Sequence, residues 1–194
     1  MRARAQQPFG SLLLLGCLLT LALPGWAEDQ PASAVPMTVA QVIPDAHLSG
    51  EGPLRFFGFH VYDAQLWVGK AGYRPDSPTS APFALDVTYA RHFTGAAIAK
   101  TSLDEFERLD AGTPAQRQQW YEALLRLMPD VQEGQHLTGL FIPHEGLRLY
   151  SNGSALGEIK DVDLARAFFE IWLDPRTKAP ELREKLLANS APRP

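Results

Sequence analysis

The fold is decided by residues 50–69, which read Gly-Glu-Gly-Pro-Leu-Arg-Phe-Phe-Gly-Phe-His-Val-Tyr-Asp-Ala-Gln-Leu-Trp-Val-Gly. From residue 62 to residue 68, a tyrosine, an alanine, a leucine and a valine alternate with Asp63, Gln65 and Trp67. This period of two predicts a strand with one face against a core. Because the stretch is so apolar and aromatic, we expect it to supply the central strand of a sheet.

The same stretch carries an arginine among phenylalanines. Arg55 is followed by Phe56, Phe57 and Phe59, with Gly58 as a bend or bulge between them. A guanidinium stays charged at any ordinary pH, so its burial among aromatic rings costs several kcal/mol unless an anion is supplied. We therefore expect an anion beside Arg55, either a carboxylate of the protein or a group on a ligand.

The N-terminal residues predict export. Two arginines precede an apolar run over residues 11–23, and Gly25-Trp26-Ala27 has the small residues of a cleavage site. We interpret residues 1–27 as a removed signal peptide, which places the protein in the periplasm or outside the cell. The alternative is a lipoprotein site at Cys17, but the apolar run continues for six residues beyond that cysteine.

Composition limits the partners of the mature protein. Cys17 is the only cysteine, so the exported domain folds without disulfides. Removal of Arg2 and Arg4 with the signal changes the formal net charge from −4 to −6. An acidic chain without a basic run predicts no nucleic-acid partner and no stable membrane insertion. The sequence leaves the oligomeric state open.

The rest of the chain predicts an α+β protein, with strands first, then helices, then strands and helices again. Residues 28–36 predict a flexible leader, residues 37–188 a single domain and residues 189–194 a tail. The predicted strands beyond the opening stretch are residues 37–43, 83–91, 136–142, 147–150 and 155–159. The predicted helices begin near Thr94, with a start or restart at Ser102, and at Thr113, Asp161 and Pro180.

Motifs for common chemistry are missing from the sequence. The five histidines have neither H-x-H nor H-x-x-x-H spacing, so we predict no metal site. There is no G-x-S-x-G, no nucleophilic cysteine in the mature chain and no phosphate-binding loop, so we predict no catalytic residue and no cofactor.

Two arginines remain as candidates for binding. Arg91 ends the predicted strand 83–91 on its apolar face, so Arg55 and Arg91 could reach one pocket between sheet and helices. The alternative is that each is paired within the protein, with Glu51, Asp63 or Glu170. Tyr62 and Tyr89 could add hydroxyl groups to the same pocket.

Four blocks, in this order, resemble the bacterial chalcone isomerase-like family over residues 37–188. They are Gly-Glu-Gly-Pro-Leu-Arg (50–55), Phe-His-Val-Tyr-Asp-Ala-Gln-Leu-Trp-Val (59–68), Tyr-Ala-Arg-His-Phe-Thr (89–94), and Phe-Phe-Glu-Ile-Trp-Leu-Asp-Pro-Arg-Thr (168–177) with Pro-Glu-Leu-Arg-Glu-Lys-Leu-Leu (180–187). The resemblance implies an open-faced β-sandwich, in which a large antiparallel sheet carries helices on one face and a ligand cleft lies between. It also implies that Arg55 and Arg91 match basic positions of that cleft.

The residues that plant chalcone isomerases use for ring closure are not matched. The strand threonine of those enzymes falls at Phe57 and the hydroxyl residue of the late helix at Ile171. Their tyrosine and asparagine fall near Ala115 and Glu122. Loss of these hydroxyl groups removes the means of moving a proton, so the resemblance does not imply isomerase activity here.

The fold also includes non-catalytic members that bind fatty acids, in which arginine and tyrosine hold the carboxylate. We therefore predict a non-catalytic protein that binds a small hydrophobic carboxylic acid through Arg55 and Arg91, with Tyr62 as a hydroxyl donor and Phe57, Phe59 and Trp120 along the apolar part. The alternatives are an isomerase or lyase that acts on an enone or phenolic substrate, and a protein–protein interaction module with a vestigial cleft.

Overall fold

Six antiparallel strands form one open sheet in residues 34–192, the part of the chain that this computed structural model describes. The predicted signal peptide and Cys17 lie outside the described residues. The strands are β1 (His47–Phe56), β2 (Phe59–Val68), β3 (Phe83–Tyr89), β4 (His136–Ile142), β5 (Gly146–Ser151) and β6 (Ser154–Ile159). The helices are α1 (Met37–Val42), α2 (Gly95–Leu109), α3 (Pro114–Leu127), α4 (Val162–Leu173) and α5 (Pro180–Leu186).

The strands lie in the sheet in the order in which they occur in the chain, and every neighbouring pair is antiparallel. The predicted α+β class with a large antiparallel sheet is confirmed. Helices α2–α5 contribute to the main core on one face of this sheet, where Leu66, Leu85 and Leu149 lie buried. None of the helices within residues 34–192 combines the length and the apolar character that crossing a bilayer requires.

The predicted strand at residues 37–43 is wrong, because most of this segment forms helix α1. Val39 and Ile43 lie four residues apart, so the helical turn brings them to the same side. There they pack on Trp67 and Leu140 on the face of the sheet opposite the main core. The resemblance implied helices on one face only, and α1 adds a short one to the other.

The opening stretch forms the β1–β2 hairpin, but it is not central. Strand β1 lies at one edge of the described sheet and β2 lies next to it. Helix α5 packs against this edge strand so closely that a Cβ atom on Gly50 would lie 1.8 Å from the carbonyl oxygen of Lys185. Cover for the edge strand β1 therefore comes from helix α5, which the alternation of residues in the stretch could not reveal.

Helix α2 is continuous through the predicted restart at Ser102. Thr94 caps the helix by accepting a hydrogen bond from the Ala97 amide at 3.1 Å. The Ser102 hydroxyl donates to the Ile98 carbonyl at 3.0 Å, as a serine inside a helix can. The predicted start of α3 is confirmed, since Thr113 and Gln116 form a complete capping box.

Asp161 fixes the position of helix α4. Its Oδ1 accepts a hydrogen bond from the Leu164 amide at 2.9 Å, which caps the helix. Its Oδ2 accepts one from the indole Nε1 of Trp120 at 3.0 Å, which ties α4 to α3.

We expect Asp161→Ala to lower the free energy of unfolding by about 2 kcal/mol, because it removes the helix cap and leaves a buried indole N–H without an acceptor. Chemical denaturation followed by circular dichroism measures this loss. Asp161→Asn is the control, since its one amide oxygen can still accept one of the two hydrogen bonds and should lose less. Equal losses in the two variants would contradict the double role of Asp161.

Candidate ligand-binding cavity

A cavity of about 600 Å³ lies between the sheet and helices α2 and α4. Its walls are largely apolar. The apolar lining comes from residues Leu54, Val61, Leu85, Val87, Leu137 and Leu149 of the sheet, Ile98 of α2, and Phe168, Ile171 and Trp172 of α4. The lining residues that are also exposed mark the opening, and they include Arg55, Phe56, Phe59 and Arg91.

A β-bulge lies opposite Arg55 at the opening of the cavity. The register steps from Leu54 opposite Tyr62 to Arg55 opposite His60, so Val61 is an extra residue on β2. In a regular strand, successive side chains point to opposite faces, and a bulge interrupts this alternation. As a result, the consecutive residues Val61 and Tyr62 both line the cavity. On the opposite strand, residues 54–56, which include Arg55, belong to the lining as well.

Neither cavity arginine forms an ion pair within residues 34–192. The carboxylates considered as partners have other contacts: Asp63 lies 3.1 Å from His60, and Glu170 lies 3.3 Å from Arg166. Glu51 accepts a hydrogen bond from Gln65 at 2.7 Å.

The guanidinium carbon of Arg91 lies 5.5 Å from the centre of the Phe59 ring. This cation–π contact leaves the N–H donors of Arg91 free for an anion. In the part of the chain that the structure describes, Arg55 and Arg91 are therefore not paired with a carboxylate of the protein.

Two tyrosine rings line the cavity side by side. Tyr62 and Tyr89 are opposite in the register of β2 and β3, and their ring centres are 6.0 Å apart. The Tyr62 hydroxyl accepts a hydrogen bond from the indole Nε1 of Trp172 at 2.7 Å. Burial raises the pKa of both tyrosines well above the usual value, so both hydroxyls keep their protons and can donate to a ligand.

Sequence reasoning missed a buried carboxylate in the lining, that of Glu105 on α2. It forms ion pairs with Lys178 at 2.6 Å and with Arg108 at 2.7 Å. Burial raises the pKa of Glu105, but the hydrogen bonds from Arg108 and Lys178 outweigh that effect and hold the pKa below its usual value. Glu105 is next to Phe106 on the buried side of α2, and this position is the signal that could have revealed the carboxylate.

Two of the six predicted ligand-binding residues lie outside the cavity. Phe57 occupies the β1–β2 turn, where the residue is 86% exposed, and it does not belong to the lining. Trp120 is buried against Phe106, with ring centres 5.6 Å apart, and its indole is held by Asp161. The other four, Arg55, Phe59, Tyr62 and Arg91, all belong to the lining.

This placement changes the comparison with plant isomerases. Phe57 is not in the cavity, so the absence of a hydroxyl at that position has no bearing on its chemistry. Ala115 and Glu122 lie on α3, which contributes nothing to the lining, whereas α2 contributes Thr101 and Ser102. Only Ile171 remains as an apolar residue inside the cavity where those enzymes have a hydroxyl. Among the described residues, no three His, Cys, Asp or Glu side chains are grouped so that they could hold a metal ion.

The fold and the cavity define a class, α+β proteins with a cavity between an antiparallel sheet and the helices that cover it. Comparison with known proteins identifies the family. The sequence model of the chalcone isomerase-like family matches residues 32–188, so the chain belongs to that family. Among solved structures, the chain is similar to a fatty-acid binding protein of Arabidopsis thaliana, with a TM-score of 0.62 and 12% identity over 82% of this chain and 91% of that one. No curated protein matches the chain.

The Glu105 ion pairs make stability depend on pH. A carboxylate with a lowered pKa in the folded state stabilises the fold above its unfolded pKa, near 4.5, and this contribution is lost as the pH falls through the lower folded value. We expect Glu105→Gln to reduce the free energy of unfolding by about 1–3 kcal/mol at neutral pH and to weaken its dependence on pH below 4.5.

Denaturant titrations at a series of acid pH values measure both effects. Glu107→Gln is a matched control, because this glutamate is exposed on the same helix. At neutral pH, the free energy of unfolding should be clearly lower for Glu105→Gln than for Glu107→Gln. Equal values would show that the Glu105 ion pairs contribute nothing to stability.

Proposed function

We propose that this protein binds a small hydrophobic carboxylic acid, such as a fatty acid, without converting it. One observation carries the proposal: two arginines without an ion pair among the described residues lie at the opening of a largely apolar cavity. An arginine fork matches a carboxylate, and an apolar cavity suits the hydrocarbon part of such a ligand.

The chemistry of the lining divides the proposed ligand into a head and a tail. Arg55 and Arg91 bind the carboxylate, with the tyrosine hydroxyls of Tyr62 and Tyr89 as further donors. Phe59 lies beside Arg91 and covers the start of the hydrocarbon chain. Glu105 is already neutralised by two cations, so it does not repel an acid in the cavity as a free carboxylate would.

The size of the cavity and the structural neighbour support the same reading. A volume of about 600 Å³ lies within the range of pockets that enclose small organic ligands. The solved protein of similar fold is described as a fatty-acid binding protein. An interaction module with a vestigial cleft would require the cleft to be filled and the arginines to be paired internally, and neither condition holds within residues 34–192.

We further propose that the protein acts after export, in the periplasm or outside the cell. The support is the signal-peptide pattern of residues 1–27. The intact mass of the protein recovered from its host should correspond to a chain that begins at Glu28. A mass that includes a diacylated Cys17 would instead favour the lipoprotein alternative.

We expect Arg91→Ala to weaken the binding of palmitic acid about tenfold or more, and the double variant with Arg55→Ala to weaken it further, because charge-assisted hydrogen bonds to the carboxylate are lost. Isothermal titration of the delipidated protein measures this. The affinity for hexadecanol should fall much less in the same variants, because this ligand carries no charge.

Arg126→Ala is the matched control, since this arginine is exposed on α3 and does not belong to the lining. Native mass spectrometry of the protein recovered from its host should also detect a bound lipid. The proposal fails if no lipid is retained and the double variant binds palmitic acid as tightly as the wild-type protein does.

A second candidate, an isomerase or lyase acting on an enone or phenol, is favoured by the two protonated tyrosines that share the cavity with Arg91. An arginine can polarise a carbonyl and a tyrosine can donate a proton. Cyclisation of a chalcone that is lost in Arg91→Ala would raise this candidate above the first.

A further inference from the structure

The tip of the β1–β2 hairpin exposes three phenylalanines to solvent. Phe56, Phe57 and Phe59 are 66%, 86% and 62% exposed, and we call these three residues the aromatic tip. Among the other large apolar residues that the structure describes, only Met37 reaches a comparable exposure. A contiguous apolar patch of this kind on a protein surface marks an interaction site.

The conformation of the turn shows that the fold does not require Phe57. The two-residue loop Phe57-Gly58 has φ angles of 48° and 81°, both in the left-handed region. The loop Asn152-Gly153 in the β5–β6 hairpin has nearly the same angles, 46° and 80°. Such loops favour Asn-Gly, because asparagine tolerates positive φ and a bulky aromatic residue does not.

The protein therefore contains two turns of the same shape, one with the favoured residue and one with a strained phenylalanine. The Phe57 side chain adds no core packing that could offset the strain, because it is almost fully exposed. The ring of Phe57 contacts that of Phe56, with centres 4.5 Å apart, but Phe56 is itself exposed. Backbone strain of this kind clusters at functional sites, so a binding partner of the hairpin tip would explain a phenylalanine at this position.

The aromatic tip is continuous with the cavity. Phe56 and Phe59 are exposed and also belong to the lining, so the tip and the cavity share these two residues. Arg55 and Arg91 are exposed residues at the same opening. Aromatic side chains with adjacent arginines are the composition that enters the boundary between lipid headgroups and acyl chains.

We propose that the aromatic tip docks the protein on a lipid–water interface, with the cavity opening turned toward the lipid. Phe57 enters the acyl boundary, and Arg55 and Arg91 meet the anionic oxygens of headgroups at its edge. A fatty acid can then pass from the bilayer into the cavity without crossing water. This passage rests on the proposed function, whereas the docking itself does not.

The shape and size of the patch favour a lipid surface over a second copy of the chain. Three phenylalanines at these exposures offer about 300–500 Å² of surface, less than the roughly 800 Å² that each partner contributes to a stable protein interface. The tip is a convex two-residue turn, which a fluid interface can accept without a complementary surface. Because the whole chain is acidic, binding comes from the inserted ring and the local arginines and not from long-range attraction.

Flotation with vesicles of phosphatidylcholine containing a minority of phosphatidylglycerol tests the docking. We expect the wild-type protein to bind and Phe57→Asn to bind about tenfold more weakly or worse, since one buried aromatic ring is lost. Phe57→Asn should be at least as stable as the wild-type protein, because it restores the Asn-Gly turn. Leu125→Asn is the matched control, since Leu125 is an exposed apolar residue on α3, and it should bind like the wild-type protein.

The outcomes separate docking from ligand binding. Phe57→Asn should keep the wild-type affinity for palmitic acid added in solution, while its uptake of palmitic acid from vesicles slows. Failure of the wild-type protein to bind vesicles, or equal binding by Phe57→Asn, overturns the docking. A dimer in sedimentation that Phe57→Asn dissociates, without vesicle binding, would overturn it in favour of a second copy. If neither the wild-type protein nor Phe57→Asn binds palmitic acid, only the proposed ligand is overturned and the docking stands.

Discussion

The antiparallel pairing of β1 with β2 is the constraint on which the cavity depends. Its two-residue turn makes the strands neighbours, and its bulge at Val61 allows Val61 and Tyr62 to line the same cavity as Leu54 and Arg55 of β1. The same turn exposes Phe57. A regular β2 would have placed Val61 and Tyr62 on opposite faces, since successive side chains alternate. One irregular residue thus changes which side chains of β2 line the cavity near the opening where Arg55 and Arg91 lie.

Electrostatics divide the cavity into two parts. Arg55 and Arg91 have no ion pair within residues 34–192, whereas the carboxylate of Glu105 is neutralised by Arg108 and Lys178. A cavity with this balance attracts an anion at its opening. The tyrosines stay protonated because burial disfavours the phenolate, so they add donors without adding charge. Together these features are the reason for proposing a hydrophobic acid as the ligand in preference to a neutral or a cationic one.

Much of the fold could be predicted from local patterns. The strands of the β4–β6 meander and the helices that begin at Thr113 and Asp161 follow from period-two alternation, the Asn-Gly turn and capping residues. The errors share one cause, which is that neighbours distant in sequence override a short local pattern. Residues 37–43 form a helix because their apolar side packs on Trp67, and Trp120 lies with the core because Asp161 holds its indole.

The sequence by itself determined the α+β class, the family resemblance and the two arginines as the residues that need an explanation. It could do so because helix and strand periods, caps and turns are encoded within a few neighbouring residues. Only the tertiary structure decided that Phe57 lies outside the cavity, that Glu105 lies within it and that neither arginine has an ion pair in residues 34–192. Burial, register and ion pairing are relations between residues far apart in the chain, and they are fixed only when the sheet and its helices pack together.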